Sequence, residues 1–329
     1  MDDRALLQQL IEGPASGDAL ARRSGQTRAA VWKRIEALRA AGVPIEARPG
    51  RGYVLAAPLD LLDVGRIEAA LPATIRPGVA ALEVAWSLES TNTELLRRPV
   101  PAHGVAVLLA ERQTGGRGRR GREWVSPLAA HLYLSLARTF GGGLTRLGGL
   151  SLVAGIAAAE ALRECGYSSV GLKWPNDLVI AGRDGLRKLG GLLIEGGGEH
   201  AGPVRAVIGL GVNVRMPVAM AASVDQPWVD LATLGGAPDR NRLVAALLSA
   251  LLPALDTFDA EGLAPFLPRY AALDALAAQA VTVHAGDAAL QGLALGLDAD
   301  GALRVRLDDG VERSFHAGEV SVRRGGADV

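Results

Sequence analysis

Two apolar runs with strand character, Val105–Ala110 and Leu132–Leu136, bracket a stretch that suits neither strand nor helix. Within it, Gly115-Gly116-Arg117-Gly118-Arg119-Arg120-Gly121-Arg122-Glu123-Trp124 holds four glycines and four arginines in ten positions. Glycine at that density weakens any regular element, so the stretch is a loop between two strands. Its composition suits an anion. Glycines let backbone N–H groups converge, and arginines supply fixed positive charge. Such a loop fits a carboxylate and a phosphate held side by side.

Other glycine-loop chemistries fit less well. Gly116-x-Gly118-x-x-Gly121 matches the dinucleotide fingerprint formally. That fingerprint must open a helix and be followed by an acidic residue about 20 positions on. Here Trp124-Val125-Ser126-Pro127 follows, and then Gly141-Gly142-Gly143. A kinase-type loop lacks its catalytic-loop and Asp-Phe-Gly partners. An RNA-binding Arg-Gly segment remains open chemically, although ten residues between two strands make a short tail.

The N-terminal fifty residues read as a separate module. From Arg22 to Arg51 there are eight cations and two acids, whereas the whole chain balances 35 Lys plus Arg against 35 Asp plus Glu. A local basic face is therefore present without a general basic coat, which points to a polyanionic partner. Ser16 is placed to cap one short helix and Thr27 the next, with Ser24-Gly25-Gln26 as the turn between them. Val31, Ile35 and Leu38 follow at helical spacing, and Gly42 stops that helix. Ile45–Arg48 and Tyr53–Leu55 flank the basic tip Pro49-Gly50-Arg51-Gly52 and predict a hairpin. Together these make a winged helix-turn-helix, with Thr27, Arg28, Lys33 and Arg51 as the DNA-facing candidates.

Pro58 to about Val64 reads as a linker. Alternating strand-like and helix-like runs continue to about residue 280, including a buried helix over Leu150–Glu164, a strand over Val204–Val214 and an amphipathic helix over Arg242–Phe258. From Val281 short β runs are divided by Ala285-Gly286-Asp287, Asp298–Gly301 and Asp308-Asp309-Gly310, which predicts a small β-barrel. The expected units are 1–62, 63–279 and 280–329. A single cysteine, Cys165, excludes an intrachain disulfide and is expected in the core. No apolar run reaches the ~18 residues of a membrane span, and Met1-Asp2-Asp3-Arg4 lacks a signal-peptide layout. A cytoplasmic protein with no membrane partner is expected.

Three further segments carry chemistry. Lys173-Trp174-Pro175-Asn176-Asp177 ends an apparent strand and presents Asn176 and Asp177, a position that suits Mg²⁺ near a triphosphate or a plain Asn-Asp turn. Arg187-Lys188 opens a Gly-flanked strand from which Lys188 can reach a phosphate. Ser90-Thr91-Asn92 either bonds a polar ligand head or caps the helix at Glu94-Leu95-Leu96.

The order Ser90-Thr91-Asn92, Gln113-x-x-Gly-Arg-Gly-Arg-Arg-Gly-Arg-x-Trp124, Lys173-Trp-Pro-Asn-Asp177, Arg187-Lys188 and Gly209-Leu-Gly-Val-Asn-Val214 resembles the biotin–protein ligase family. With the basic N-terminal module it is similar to the bifunctional type, which joins a ligase to a biotin-operon repressor. Glu123 stands where the family often has Lys, Gly190 replaces an Ala, and residues 181–187 are slightly longer than usual.

The resemblance implies an α+β multidomain fold. Its parts are a winged helix-turn-helix, a mixed α/β ligase domain related to class II synthetases, and an SH3-like β-barrel. It implies biotin and ATP with Mg²⁺, formation of biotinyl-5′-adenylate, and transfer to a lysine of the biotin carboxyl carrier protein of acetyl-CoA carboxylase. Arg119, Arg122 and Lys188 become the catalytic candidates. Ser90, Thr91, Asn92, Gln113, Gly116, Arg117, Gly118, Arg119 and Lys188 become the biotin contacts, Asn213 and Trp228 the adenine contacts, and Asp177 the Mg²⁺ ligand. The implied partners are operator DNA of biotin-synthesis genes and a second copy of the chain when adenylate is bound. A lipoate-type ligase, and a ligand-sensing regulator without ligase activity, remain the alternatives.

Overall fold

The computed structural model describes residues 2–198, 203–285, 288–317 and 320–324, so the Gly286-Asp287 part of one expected turn lies outside the described residues. The N-terminal helices are α1 (Asp3–Glu12), α2 (Gly17–Ser24) and α3 (Arg28–Ala40). Each begins on a side-chain cap. Asp2 accepts from the Ala5 amide, Ser16 from Ala19 and Thr27 from Ala30. Gly25 closes α2 in the left-handed region at φ 65°, which permits the sharp turn into α3. Leu6, Leu7, Leu20, Val31, Ile35 and Leu38 form the core beneath. Strands β1 (Ile45–Arg48) and β2 (Gly52–Leu55) pair as the antiparallel wing.

The linker expected from Pro58 is not a free tether. Leu61 completes the helix-turn-helix core, and that core also takes in Leu128 and Ala129 from the segment just after the Arg-Gly loop. The Leu128 amide donates to the Ala41 carbonyl at 2.8 Å. The Leu62 amide donates to the Glu111 carboxylate, and Asn241 holds the Leu61 carbonyl at 3.0 Å. A Pro-containing segment reads as a linker because its composition hides these long-range partners.

The central sheet has seven strands in the order β3-β4-β5-β9-β8-β7-β6. In chain order they are β3 (Val79–Ala85), β4 (Val105–Ala110), β5 (Leu132–Phe140), β6 (Val170–Lys173), β7 (Asp177–Gly182), β8 (Gly185–Gly198) and β9 (Val204–Val212). Only β3 and β4 run parallel. Alternation sorts the two faces. Val107, Leu109, Leu136 and Ile208 join the core that contains the helices Leu150–Glu164 and Arg240–Glu261. Leu108, Ala137 and Val207 turn the other way and pack with Leu95 of the helix Thr91–Arg97. By length and composition the helix Arg240–Glu261 is apolar enough to cross a membrane, but Leu243, Leu247, Leu248, Leu251 and Leu255 are buried in the protein core.

The C-terminal unit is a five-stranded antiparallel sheet in the order β13-β12-β11-β10-β14. Its strands are β10 (Ala280–Ala285), β11 (Ala288–Leu297), β12 (Leu303–Leu307), β13 (Glu312–Phe315) and β14 (Val320–Arg324). All five strands belong to one antiparallel ladder, the small β unit expected from residue 281 onward. Val281, Val283, Leu303 and Val305 continue the main core, so this unit packs on the central one.

Candidate active site

The Arg-Gly loop folds back on itself at the end of β4. The Gly118 amide donates to the Arg122 carbonyl at 2.7 Å and the Trp124 amide to the Gly116 carbonyl at 2.9 Å. Its arginines then diverge. Arg117 donates to Thr93 Oγ1 at 3.0 Å and Glu195 Oε1 at 3.1 Å, which anchors the loop to the neighbouring helix and to β8. Arg119 is half-buried and donates to Asn176 Oδ1 at 3.2 Å and to the Ala317 carbonyl, so it spans the loop, the β6–β7 turn and the C-terminal unit. Burial lowers its pKa, with the Arg120 charge as the second cause. Arg122 is exposed and forms no ion pair among the described residues.

On β8, Lys188 Nζ lies 2.8 Å from Asp177 Oδ1 and 5.5 Å from the centre of the ring of Trp124, the last residue of that loop. Asn176 is fixed on β8 at both ends, since its Nδ2 donates to the Leu192 carbonyl at 2.8 Å and its own carbonyl accepts from the Leu192 amide at 2.9 Å. Arg119, Asn176, Asp177 and Lys188 therefore form one contiguous polar row. Trp174 precedes it, joined to Pro175 by a cis peptide, and donates from Nε1 to the Gly301 carbonyl at 3.0 Å. The segment Pro227–Val229 runs beside Lys188, with both its flanking backbone bonds at 2.9 Å. Asn213 ties the two, donating from Nδ2 to the carbonyls of Lys188 (3.3 Å) and Val229 (3.1 Å). Trp228, half-buried, lies within that segment.

Ser90, Thr91 and Asn92 are all buried at the start of the helix Thr91–Arg97. Ser90 is its N-cap, accepting from the Thr93 amide at 3.4 Å. Gln113 Oε1 accepts from the Thr91 amide (2.9 Å) and hydroxyl (3.2 Å), while its Nε2 faces Ser126 Oγ at 3.4 Å. The Asn92 amide is occupied within the protein. Its Nδ2 donates to Leu193 O and Glu195 Oε2, and its Oδ1 accepts from Ser135.

Several participants were not anticipated from the sequence. Ser135 is fully buried on β5 and reaches both Thr91 Oγ1 (2.7 Å) and Asn92 Oδ1 (2.6 Å). Glu195 receives both Arg117 and Asn92. Trp124 packs directly on β9, where a Cβ on Gly211 would lie 2.8 Å from its indole; one on Gly209 would lie 2.4 Å from Asn92 Oδ1. Two glycines inside an apolar strand were the available signal for such close approach. Cys165, expected in the core, is exposed where the helix Leu150–Glu164 ends. Among the described residues no group of three His, Cys, Asp or Glu side chains is placed to hold a metal ion.

At the N-terminal unit, Arg28, Lys33 and Arg51 are exposed. Arg28 pairs with Asp18 at 3.1 Å. The Thr27 hydroxyl accepts from the Ala30 amide at 3.2 Å, so its first role is the cap.

This arrangement has known counterparts. The sequence profile of the Biotin/lipoate A/B protein ligase family matches residues 84–213, an HTH domain matches 3–54 and the biotin protein ligase C terminal domain matches 279–323. The bifunctional ligase/repressor BirA of Salmonella typhimurium is 41% identical over 319 residues, which cover 97% of this chain and 96% of that protein. This chain belongs to the biotin–protein ligase family. The Escherichia coli bifunctional ligase/repressor BirA is similar at 40% identity over 94% of this chain and 92% of its own length. Among solved structures, the biotin protein ligase of Aquifex aeolicus in complex with biotin and ATP superposes with a TM-score of 0.63 at 26% identity. It covers 75% of this chain and 100% of its own. Membership in the bifunctional ligase/repressor branch accounts for both the ligase core and the helix-turn-helix in front of it.

Proposed function

We propose that this protein is a biotin–protein ligase that also represses biotin-synthesis genes in the cytoplasm. The biotin carboxylate oxygen attacks the α-phosphorus of ATP, the bond to the β-phosphate breaks, and pyrophosphate leaves. The carrier lysine then attacks the acyl carbon of the adenylate and AMP departs. The carrier is the biotin carboxyl carrier protein of acetyl-CoA carboxylase.

The observation that carries this reading is the row Arg119–Asn176–Asp177–Lys188, which runs from the Arg-Gly loop to β8. Two anions must meet before any bond forms, so their repulsion must be offset by fixed cations. Arg119 and Lys188 take that role at the reacting centre. Arg122, exposed at the loop tip, is the cation free to close over the phosphates. Ser90, Thr91, Gln113 and the backbone of Gly116, Arg117 and Gly118 receive biotin's ureido head and carboxylate. Asn92 shapes that pocket from beneath, and Asn213 and Trp228 receive adenine. Buried polar contacts of this kind reject analogues that lack the head group. For Mg²⁺ the site offers the single carboxylate of Asp177, already shared with Lys188. That suits an ion carried in on nucleotide phosphates, whose charge it neutralises, rather than a resident metal.

With adenylate bound, two copies associate and present two winged helices, so DNA affinity rises through effective concentration. Thr27, Arg28, Lys33 and Arg51 face the operator. The test is pyrophosphate release. It is expected with biotin and ATP together and not with ATP alone or with lipoate and ATP. Ligand binding without pyrophosphate would leave only a sensor.

A further inference from the structure

The outward face of α3 holds a side chain that electrostatics does not explain. Trp32 is 54% exposed, one of the few large apolar groups the described residues leave in solvent. Val31, Ile35 and Leu38 face the core, so the exposed positions of the helix are Arg28, Ala29, Trp32, Lys33, Ala37 and Ala40. Ala29, Trp32 and Lys33 stand at three- and four-residue spacing and share one face. Glu36, next on that face, is held by Arg39 at 2.7 Å.

This face lacks the Asn and Gln side chains that read adenine by paired hydrogen bonds. Its exposed donors are the cations Arg28 and Lys33 and the Trp32 indole N–H, Glu36 is engaged by Arg39, and the rest is apolar. An exposed indole gains by being covered with apolar surface. A second copy of this module is a poor cover, because its own eight cations against two acids would meet the same excess here. Duplex DNA is drawn by that charge, and the apolar groups it offers in the major groove are the 5-methyls of thymine.

We propose that Trp32 is the specificity-determining residue of the DNA interface, packing its indole on thymine methyl groups while Arg28, Lys33 and Arg51 supply phosphate affinity. The proposal rests on the DNA-binding reading above and narrows it to one side chain and one chemical group. The test uses the full chain with biotin and ATP to select duplexes from a randomised-sequence library. Thymines of the selected duplex are then replaced one at a time by deoxyuridine, which removes only the methyl. Wild type is expected to lose about four-fold in affinity at one or two positions, the worth of a buried methyl-sized group. Trp32→Ala should be insensitive at those positions while keeping its salt dependence, and Trp32→Phe should regain part of the sensitivity. Lys33→Ala should do the reverse, keeping the methyl sensitivity and losing about one unit of salt slope. Equal deoxyuridine sensitivity in wild type and Trp32→Ala would overturn the proposal with DNA binding intact. Failure of the wild type to enrich any duplex would overturn the DNA reading as well.

Discussion

Lys188 Nζ and Asp177 Oδ1 stand 2.8 Å apart on neighbouring strands, with both side chains about one-fifth exposed. A half-screened pair of this kind holds the lysine aimed without neutralising it permanently, because an incoming phosphate competes for the same ammonium. Lys188→Ala should therefore act on the transition state, where the carboxylate and phosphate meet. We expect kcat for adenylation to fall ~10²–10³-fold with a smaller change in the Michaelis constant for ATP. Single-turnover kinetics checks this, and an unchanged kcat with raised Michaelis constants would remove Lys188 from the chemistry.

Arg119 links the loop to Asn176 and to the C-terminal unit. Arg119→Gly should open that clamp and weaken adenylate retention by ~1.5–3 kcal/mol, one to two decades in dissociation constant. Escaping adenylate would label lysines of bystander proteins. Adenylate held as tightly as in wild type, with labelling confined to the carrier, would show the clamp to lie elsewhere.

The junction between the DNA-binding and ligase units is ionic, with Arg240 and Glu111 buried and Asp60 partly exposed. Arg240, 1% exposed, donates to Glu111, 0% exposed, at 2.9 Å and pairs with Asp60 at 3.2 Å. Burial alone would lower the Arg240 pKa, but Glu111 and Asp60 raise it. Arg240→Met leaves Glu111 buried without its cation and should cost about 3–5 kcal/mol in urea unfolding. Adding Glu111→Gln should recover part of that loss. A single-variant cost below about 1 kcal/mol would show that the junction does not depend on the pair.

His131 is fully buried, accepts at Nδ1 from the Val214 amide at 3.0 Å, and burial lowers its pKa to about 4. Because the unfolded chain takes up this proton near pH 6.5 and the folded one does not, stability is complete above that value. It falls as the pH drops toward about 4, losing on the order of 3 kcal/mol from this residue. Urea titrations at pH 7.5 and pH 5 should show that slope in wild type and a flatter one in His131→Asn.

Much of this molecule is legible in its residues. The helix Leu150–Glu164 and the strand Val105–Ala110 have the bounds their apolar runs give, and Ser16 and Thr27 cap the helices they precede. Local chemistry decides those features, so local sequence carries them. What escapes is set by partners far along the chain. Asp60 meets Arg240 across 180 positions, and Ser135 meets Thr91 across 44. Periodicity cannot pair such residues, and a buried serine on an apolar strand looks like any small residue. Arg119 and Arg122 are equivalent as text, yet one is half-buried against Asn176 and the other points to solvent.

The central claim is tested most directly by intact-mass measurement of the biotin carboxyl carrier protein after incubation with this protein, biotin and ATP. The predicted result is the gain of one biotinyl group on one lysine, absent when biotin or ATP is omitted and absent when that lysine is replaced by arginine. An unchanged carrier mass under the complete conditions, or modification with lipoate in place of biotin, would contradict the account.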